Sequence, residues 1–322
     1  MGVAVQWRSG VASDTGLVRT SNEDRYWIDD ENGVFLVVDG VGGRAAGETA
    51  AETAVDSIRE ELRDAAGSAE ERVRRAIARA NNRIYEIAGD SEDLRGMACV
   101  LTLAVVDSSE VVIGHVGDSR LYLIWNGSIR KLTSDHSPVG EDEDAGELTE
   151  EQAMLHPRRH EVFRDVGTHP HEAGDDGFIE IRHCHFKPDA AFLLCSDGLS
   201  DLLPSAAIRD IIERYDGDPA QVARDLVEAA NEAGGRDNIT ALFVAGSEFR
   251  GREGARGFSG MLETRERHST TRMRGEPAAE SGSRLRFLTG RVAFLVYGLI
   301  VGMVVGAVLG ILLWARLLTV KG

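Results

Sequence analysis

The chain has 322 residues, of which 43% are hydrophobic and 28% are charged, and its formal net charge is −17. This composition excludes a disordered tail, a collagen-like fibre and a small disulfide scaffold, and it predicts a folded protein with a sizeable core. Residues 1–247 hold 47 acidic and 24 basic side chains, which would repel a polyanion, so we expect no nucleic-acid partner.

The first elements predicted along the chain are a buried strand and a pair of helices. The apolar run at 33–38 predicts a strand that ends at Asp39-Gly40. Apolar residues at helical spacing follow at 50–62 and again at 73–87. The local order is therefore one strand followed by two helices.

Short strands dominate the region from residue 101 to residue 244. Most of them are joined by short polar turns, which favours antiparallel pairing, and the mixed order of strands and helices predicts an α+β fold. No linker interrupts residues 1–247, so we assign them to one domain. The predicted strands are 101–106, 111–116, 121–125, 179–181, 191–195 and 239–244, with helices around 208–215 and 222–230.

Aspartates recur where predicted strands end. Asp39, Asp118 and Asp197 each follow an apolar run, and Asp237 precedes the last one. Taken singly, Asp-Gly and Asp-Ser are common turn pairs. Four such carboxylates beside apolar runs favour a shared site for a hard divalent cation, which binds oxygen ligands.

Six motifs carry a resemblance to a known family. In order and at family spacing across residues 8–246, they resemble the bacterial metal-dependent protein phosphatases of the 2C type, the PPM family. The motifs are GLVRTSNED at 16–24, VDGVGG with AGE at 38–48, HVGDSR at 115–120, LTSDHS at 132–137, LCSDGL at 194–199 and GRDNIT at 235–240.

The resemblance implies a central antiparallel β-sandwich flanked by helices, with two Mn²⁺ or Mg²⁺ ions, and a possible third, in a cleft at one end. It implies catalytic roles for Arg19, which would grip the substrate phosphate, and for Asp39, which would bridge two metals. The other implied metal ligands are Gly40 through its carbonyl, Asp118, Asp197 and Asp237, with Glu23 and Asp24 holding metal-bound waters.

The activity implied is hydrolysis of phosphoserine and phosphothreonine in proteins. Two neighbouring cations lower the pKa of a bridging water and offset charge on the transferring phosphoryl group. A guanidinium offers a bidentate fork to the remaining phosphate oxygens. If the protein is held at a membrane, as the C-terminal region predicts below, a serine/threonine kinase in the same membrane would be an expected counterpart that phosphorylates the same substrates. A phosphatase module in a sigma-factor pathway would share this chemistry and differ only in substrate.

Departures from the family pattern support an alternative function. Val41 stands where animal members have a histidine that protonates the leaving group, and Arg44 stands where many bacterial members have one. Ala98-Cys99-Val100 replaces a buried Gly-Thr-Thr, for which we expect altered packing. The alternative is a catalytically weak, membrane-held module that binds phosphoproteins on the same fold.

The segment from Thr133 to Asp176 corresponds to the family's variable flap. Its acidic run at 141–144 predicts a solvated loop. Histidines lie in and just beyond the flap, and two pairs have spacings that can bind Zn²⁺, on a helix face or a strand face. The alternative is that these histidines are exposed titratable residues that bind no metal. The pairs are His156 with His160 and His183 with His185.

The C-terminal region predicts a membrane anchor. Residues 248–290 are polar, basic and aperiodic, which predicts a flexible linker. The 24 residues at 292–315 carry no charge, and a helix of that length, about 36 Å, crosses a hydrocarbon core of about 30 Å. We therefore predict a transmembrane helix at 291–316 and a short external tail at 317–322.

The flanking charges and the cysteines indicate the compartment. Arginines upstream of the span favour a single-pass protein of the cell membrane whose catalytic domain is cytoplasmic. An odd number of scattered cysteines and an N-terminus without a signal sequence agree with this. Small residues recur every four positions in the span, which permits a homodimer or only reflects membrane-helix composition. They are Gly298, Gly302, Gly306 and Gly310.

Overall fold

Two five-stranded antiparallel sheets lie face to face in the computed structural model, which describes residues 5–42, 45–63 and 66–252. The strands are β1 (Trp7–Asp14), β2 (Arg25–Asp29), β3 (Val34–Val41), β4 (Ala98–Asp107), β5 (Glu110–Val116), β6 (Arg120–Trp125), β7 (Ser128–Lys131), β8 (Glu180–His185), β9 (Ala191–Cys195) and β10 (Ile239–Gly246). One sheet has the order β1-β10-β9-β6-β7 and the other β2-β3-β4-β5-β8.

Helices cover both outer faces of the sandwich. The helices are α1 (Ala45–Arg63), α2 (Ala69–Asp90), α3 (Pro138–Asp144), α4 (Glu150–Met154), α5 (Asp197–Ser200), α6 (Ser205–Ile212) and α7 (Pro219–Glu232). Helices α1 and α2 pack on the sheet that contains β3, and α5, α6 and α7 pack on the sheet that contains β10. The predicted α+β fold, an antiparallel β-sandwich flanked by helices, is confirmed.

Side-chain alternation along the central strands builds three cores. In β3, Phe35 and Val37 face the interior between the sheets, whereas Leu36 and Val38 face the helices. Because both faces are buried, these strands have continuous apolar runs. In β10, Leu242 likewise points between the sheets while its neighbour Phe243 points to the helical layer.

Local sequence signals determine where α2, the longest of the described helices, begins and which face it buries. Ser68 accepts a hydrogen bond from the Glu71 backbone N–H, and the Glu71 carboxylate accepts one from the Ser68 N–H, which forms a capping box at the start of α2. Val73, Ile77 and Ile84 follow at helical spacing and are fully buried against the sheet.

Some elements differ from the sequence predictions. Strands β1, β2 and β7 were not predicted, because each is an edge strand whose residues are mostly half-exposed or exposed. The helix predicted to reach Tyr215 ends at Ile212, and the Tyr215 ring packs instead on Phe249 with centroids 5.4 Å apart.

The acidic run at 141–144 is part of helix α3, so the predicted solvated loop is wrong. The run is also not free in solvent, because it is bound by Arg120 in β6. The Arg120 guanidinium donates to the Asp135 carboxylate at 2.6 Å and to Glu143 at 3.1 Å. Lys131 lies 3.2 Å from the same Glu143 carboxylate and 3.1 Å from Asp144. These buried and half-buried ion pairs attach the beginning of the flap to the sheet.

The predictions for the C-terminal region concern residues outside the described part of the chain. These are the linker beyond Arg252, the transmembrane helix at 291–316, the tail at 317–322 and the four-residue glycine repeat at Gly298, Gly302, Gly306 and Gly310. Among the residues that the structure describes, no helix has the length and apolar character needed to cross a bilayer.

Candidate active site

The predicted aspartates come together at one end of the sandwich. Asp39 is near the end of β3, Asp118 follows β5, and Asp197 follows β9 as the first residue of α5. Asp237 precedes β10, which runs antiparallel to β9. Since these strands alternate in direction, the ends that carry the carboxylates meet at the same edge of the two sheets.

Asp39 shows how closely the carboxylates are packed. Burial raises its pKa well above the ordinary value, and the charges of Asp24, Asp197, Asp118 and Asp237 raise it further. Among its neighbours, Arg19 bears a positive charge but is held against Asp237. The site therefore concentrates negative charge that its own side chains leave largely uncompensated.

Asp24 is a buried carboxylate with one oxygen unsatisfied. Its side chain is 3% exposed, and its Oδ2 accepts hydrogen bonds from Ser196 Oγ at 2.8 Å and Thr240 Oγ1 at 2.7 Å. Its Oδ1 has no hydrogen-bond partner among the residues described. Burial, with the charges of Asp197 and Asp237, raises its pKa to about 7. A buried carboxylate oxygen without a donor fits a cation or a cation-bound water.

Glycines allow the backbone to close around the site. A Cβ on Gly40 would lie 2.3 Å from the Gly47 carbonyl oxygen, and a Cβ on Gly47 would lie 2.2 Å from the Glu23 carboxylate. A Cβ on Gly198 would lie 2.0 Å from the Asn238 carbonyl oxygen. Side chains at these positions would push the acidic segments apart.

Asp118 is held by a buried histidine network. The Gly117 N–H donates to His136 Nδ1 at 3.0 Å, and the Gly117 carbonyl accepts from the His136 N–H at 2.7 Å. His115 Nε2 lies 2.9 Å from the same carbonyl. Burial lowers the pKa of both imidazoles, so they are neutral near pH 7 and position the turn without adding charge.

Two site residues were missed by the sequence analysis. Asp201 lies one helical turn after Asp197, and burial and the Asp197 charge raise its pKa to about 7. His160 from the flap lies with Nδ1 3.5 Å from the Asp201 carboxylate and 3.9 Å from that of Asp197. The four-residue spacing of the aspartates was the available signal, whereas nothing in the sequence placed His160 beside them.

The helical zinc pair is not formed, whereas the strand pair, His183 and His185, lies two residues apart in β8 as predicted. Helix α4 ends at Met154, so His156 and His160 do not share a helix face. His183 in β8 lies 3.0 Å from the Glu110 carboxylate and 3.0 Å from that of Glu70. No metal-competent cluster in the described ranges contains His183 together with His185.

Arg19 lies at the rim of the carboxylate cluster. Its side chain is half-exposed, and Nη2 lies 2.7 Å from Asp237 Oδ2. The hydrogen bond from Arg19 to Asp237 raises the arginine pKa, with Glu23 and Asp39 acting in the same direction. Val41 is exposed nearby, while Arg44 lies outside the described residues.

The cysteines take no part in this site. Cys99 and Cys195 are fully buried, and burial raises the pKa of both thiols, to about 12 for Cys195. Cys184 is half-buried with its pKa raised by burial to about 11. Ala98 and Val100 are buried beside Cys99, as expected.

Comparison with known proteins agrees with this geometry. The family model described as Protein phosphatase 2C matches residues 18–242. The serine/threonine phosphatase stp of Listeria welshimeri serovar 6b is 36% identical over 244 residues, which cover 72% of this chain and 93% of that protein. The chain belongs to the protein phosphatase 2C family. The family suggested by the six motifs is thereby confirmed.

Solved structures of other members share the fold of this phosphatase. The Mycobacterium tuberculosis serine/threonine phosphatase PstP/Ppp matches with a TM-score of 0.67 and 30% identity, over 74% of this chain and 98% of that chain. A structure of the PstP catalytic domain in complex with two manganese ions matches with a TM-score of 0.66 and 29% identity, over 74% and 98% of the two chains.

The raised carboxyl pKa values predict the pH dependence of metal-free stability. Asp24 and Asp201 titrate at about 7 in the folded phosphatase and near 3.9 when unfolded, so the folded state holds more protons between these values. Stability must therefore fall as pH rises through this window. We expect the free energy of unfolding of EDTA-treated protein to be about 4 kcal/mol lower at pH 7.5 than at pH 5.5, with about 2 kcal/mol from each of the two groups.

Urea denaturation at the two pH values measures this difference. Asp24→Asn should remove about half of the dependence, because Asp201 still titrates in the same window, whereas Asp56→Asn, which removes an exposed carboxylate on α1, should leave it unchanged. Saturating Mn²⁺ should oppose it, because ions bind the deprotonated carboxylates. Stability that stays constant or rises from pH 5.5 to pH 7.5 in EDTA would contradict the electrostatic description of the site.

Proposed function

We propose that the chain is a metal-dependent serine/threonine phosphoprotein phosphatase whose carboxylate cluster holds Mn²⁺ or Mg²⁺. The observation that carries this proposal is the buried, unpaired Oδ1 of Asp24 beside aspartates whose charges raise the pKa values of Asp24 and Asp39. Family membership and the phosphatases named among the relatives support the substrate class.

The donor set fits hard divalent ions. It consists of carboxylate oxygens and one backbone carbonyl, without a sulfur or an uncommitted imidazole at its centre. We assign direct ligation to Asp39, Asp197, Asp237 and the carbonyl of Gly40, with Asp118 and Asp197 at a third position. Glu23 and Asp24 would hold water bound to the ions. The ions would act as Lewis acids that activate water and offset phosphate charge.

The protein's own groups position the substrate. Arg19 is half-exposed at the rim, so its guanidinium can turn two N–H groups toward phosphate oxygens while its charge stays near the cluster. Its ion pair with Asp237 fixes the side chain before the substrate arrives. Gly40 and Gly47 exclude side chains from the space around Glu23 and keep the acidic segments together.

The weak binding module is the less favoured function. Its support was the replaced Gly-Thr-Thr and the missing histidine at Val41 and Arg44. Cys99 is accommodated within β4, where its backbone pairs with Val166 at 2.8 and 2.9 Å. The aspartates and Arg19 all remain at one site, an arrangement that binding of a phosphoprotein alone does not require. A catalytic site explains the whole set of charged residues.

We further propose the cell membrane as the location, with the catalytic domain in the cytoplasm and a single span at 291–316. The uncharged run and the upstream arginines support this topology. The glycine repeat in the span supports a homodimer. Phosphoproteins on the same membrane, and a serine/threonine kinase that modifies them, are the partners that this topology favours.

Substitution of Asp39 tests the catalytic assignment. Asp39→Asn should lower kcat/KM for a phosphothreonine peptide in Mn²⁺ by about 10³-fold, equivalent to about 4 kcal/mol of lost transition-state stabilisation. In EDTA the same variant should be more stable than the parent, because it removes a carboxyl group whose ionisation is opposed by desolvation and by four neighbouring aspartates. Asp56→Asn is the matched control and should retain full activity. An active Asp39→Asn enzyme would refute the assignment.

Truncation tests the anchor. The full chain should remain in the membrane fraction after a carbonate wash, whereas a chain ending at residue 290 should be released. A tag placed after Gly322 should be cleaved by protease added outside the cell, and an N-terminal tag should be protected. Recovery of the full chain in the soluble fraction would contradict the predicted span without bearing on catalysis.

A further inference from the structure

A cavity lies at the opposite end of the sandwich from the aspartates. Its volume is about 570 Å³, and it is bounded by the start of β1, the loop after α6 and the segment after β10. Trp7 pairs with Gly246 at this end, and Asp14 pairs with Ile239 at the other. Seven residues of strand place the cavity about 24 Å from the catalytic end.

Four arginines line this cavity, and two carboxylates there balance only half of their charge. Arg252 lies 3.3 Å from Glu213. Arg8 donates to the Gly217 carbonyl at 3.4 Å, and Arg250 donates to backbone carbonyls, the shorter bond being 2.7 Å. Such bonds orient a guanidinium without neutralising it. Within the described part of the chain, Arg8, Arg214 and Arg250 form no ion pair with a carboxylate.

The acidic side chains of the cavity do not balance these arginines. Glu213 and Asp216 also line it, so four guanidiniums face two carboxylates, one of which is the partner of Arg252. This excess of positive charge occurs in a domain whose overall balance is strongly negative. A positively charged cavity in such a domain favours an anionic ligand with several oxygen atoms.

Close backbone packing defines the walls of the cavity. A Cβ on Gly251 would lie 2.4 Å from the Glu213 carbonyl oxygen and 2.5 Å from that of Tyr215. The Phe249 ring packs on Tyr215 with centroids 5.4 Å apart. The segment after β10 is therefore fixed against the loop after α6, and the arginines of both segments converge on one space.

We propose that this cavity binds a phosphate group presented by the headgroup of an anionic phospholipid. Guanidinium forks match phosphate oxygens in geometry and charge. The lipid source rests on the anchor proposed above: Arg252 lines the cavity, and 38 residues separate it from Arg291 at the predicted span. A coil of that length has an end-to-end distance of about 31–37 Å, which keeps the cavity within reach of the bilayer.

Binding of this kind would orient the enzyme. The cavity and the aspartate cluster lie at opposite ends of β1 and β10, so a domain held by the arginines presents its catalytic cleft away from the lipid surface. The cleft would then face soluble proteins or the protruding domains of membrane proteins, while the bilayer would not block access to it.

Hydrogen exchange on the full chain tests the proposal at the cavity itself. The protein is kept in neutral detergent with EDTA, and exchange of backbone amides at 213–217 and 246–252 is measured by mass spectrometry. Phosphatidylglycerol, phosphatidylcholine or inorganic phosphate is added at equal phosphate concentration. We expect phosphatidylglycerol to slow exchange several-fold at low salt, with the effect lost near 1 M salt, where the Debye length is about 3 Å.

Matched variants separate cavity binding from general attraction. Arg214→Gln with Arg250→Gln should abolish the slowing. Arg83→Gln with Arg95→Gln removes the same charge from exposed positions on and just beyond α2 and should preserve it. Slowing by inorganic phosphate alone would support the phosphate site and reject the lipid source. Equal exchange under all conditions, or unchanged slowing in the Arg214 and Arg250 variant, would overturn the proposal.

The hydrogen-exchange measurement does not depend on the proposed phosphatase function or on insertion of the predicted span. Mixed micelles do not require insertion of the predicted span, and EDTA removes catalysis from the measurement. Turnover of p-nitrophenyl phosphate with Mn²⁺, measured on the same preparations, reports on the phosphatase function alone. The cavity variant should retain the parental turnover in detergent, because its substituted residues lie about 24 Å from the catalytic end.

Discussion

Mutual repulsion among closely placed, half-buried carboxylates is the constraint on which this structure depends. The two sheets bring Asp39, Asp118, Asp197 and Asp237 to one edge, and burial together with their neighbouring charges raises the pKa values of Asp39 and Asp118. An arrangement of this kind opposes folding when every group is ionised. The scaffold sustains it through close backbone packing and the extensive apolar cores of the sandwich, and divalent cations would remove its cost.

A comparison of two buried carboxylates, Asp135 and Asp24, shows that the uncompensated negative charge is confined to the candidate active site. Burial alone would raise the pKa of Asp135, but Arg120 and Lys131 lie against it and its pKa is lowered overall. Asp24 has only two hydroxyl donors, and its pKa is raised to about 7. The chain therefore places Arg120 and Lys131 against the carboxylate that attaches the flap, whereas Asp24 has no basic partner among the described residues.

The sequence predicted the centre of the fold and the acidic ligand set because both leave local signals. The apolar run of β3 ends at Asp39, and similar runs lead to Asp118 and Asp197. Edge strands such as β1 carry no such signal, since only one side of the strand is paired and its residues are half-exposed. The position of His160 beside Asp201 depends on how the flap folds back onto α5, which no spacing along the chain encodes.

Proton release on metal binding tests the central claim most directly. Mn²⁺ is titrated calorimetrically into EDTA-treated, dialysed protein at pH 6.5 in buffers of different ionisation enthalpy. Because carboxyl groups with pKa values near 7 are largely protonated at that pH, ion binding should release protons, and the measured heat should change with the buffer. Binding with the same heat in every buffer, or no binding of Mn²⁺, would contradict the account.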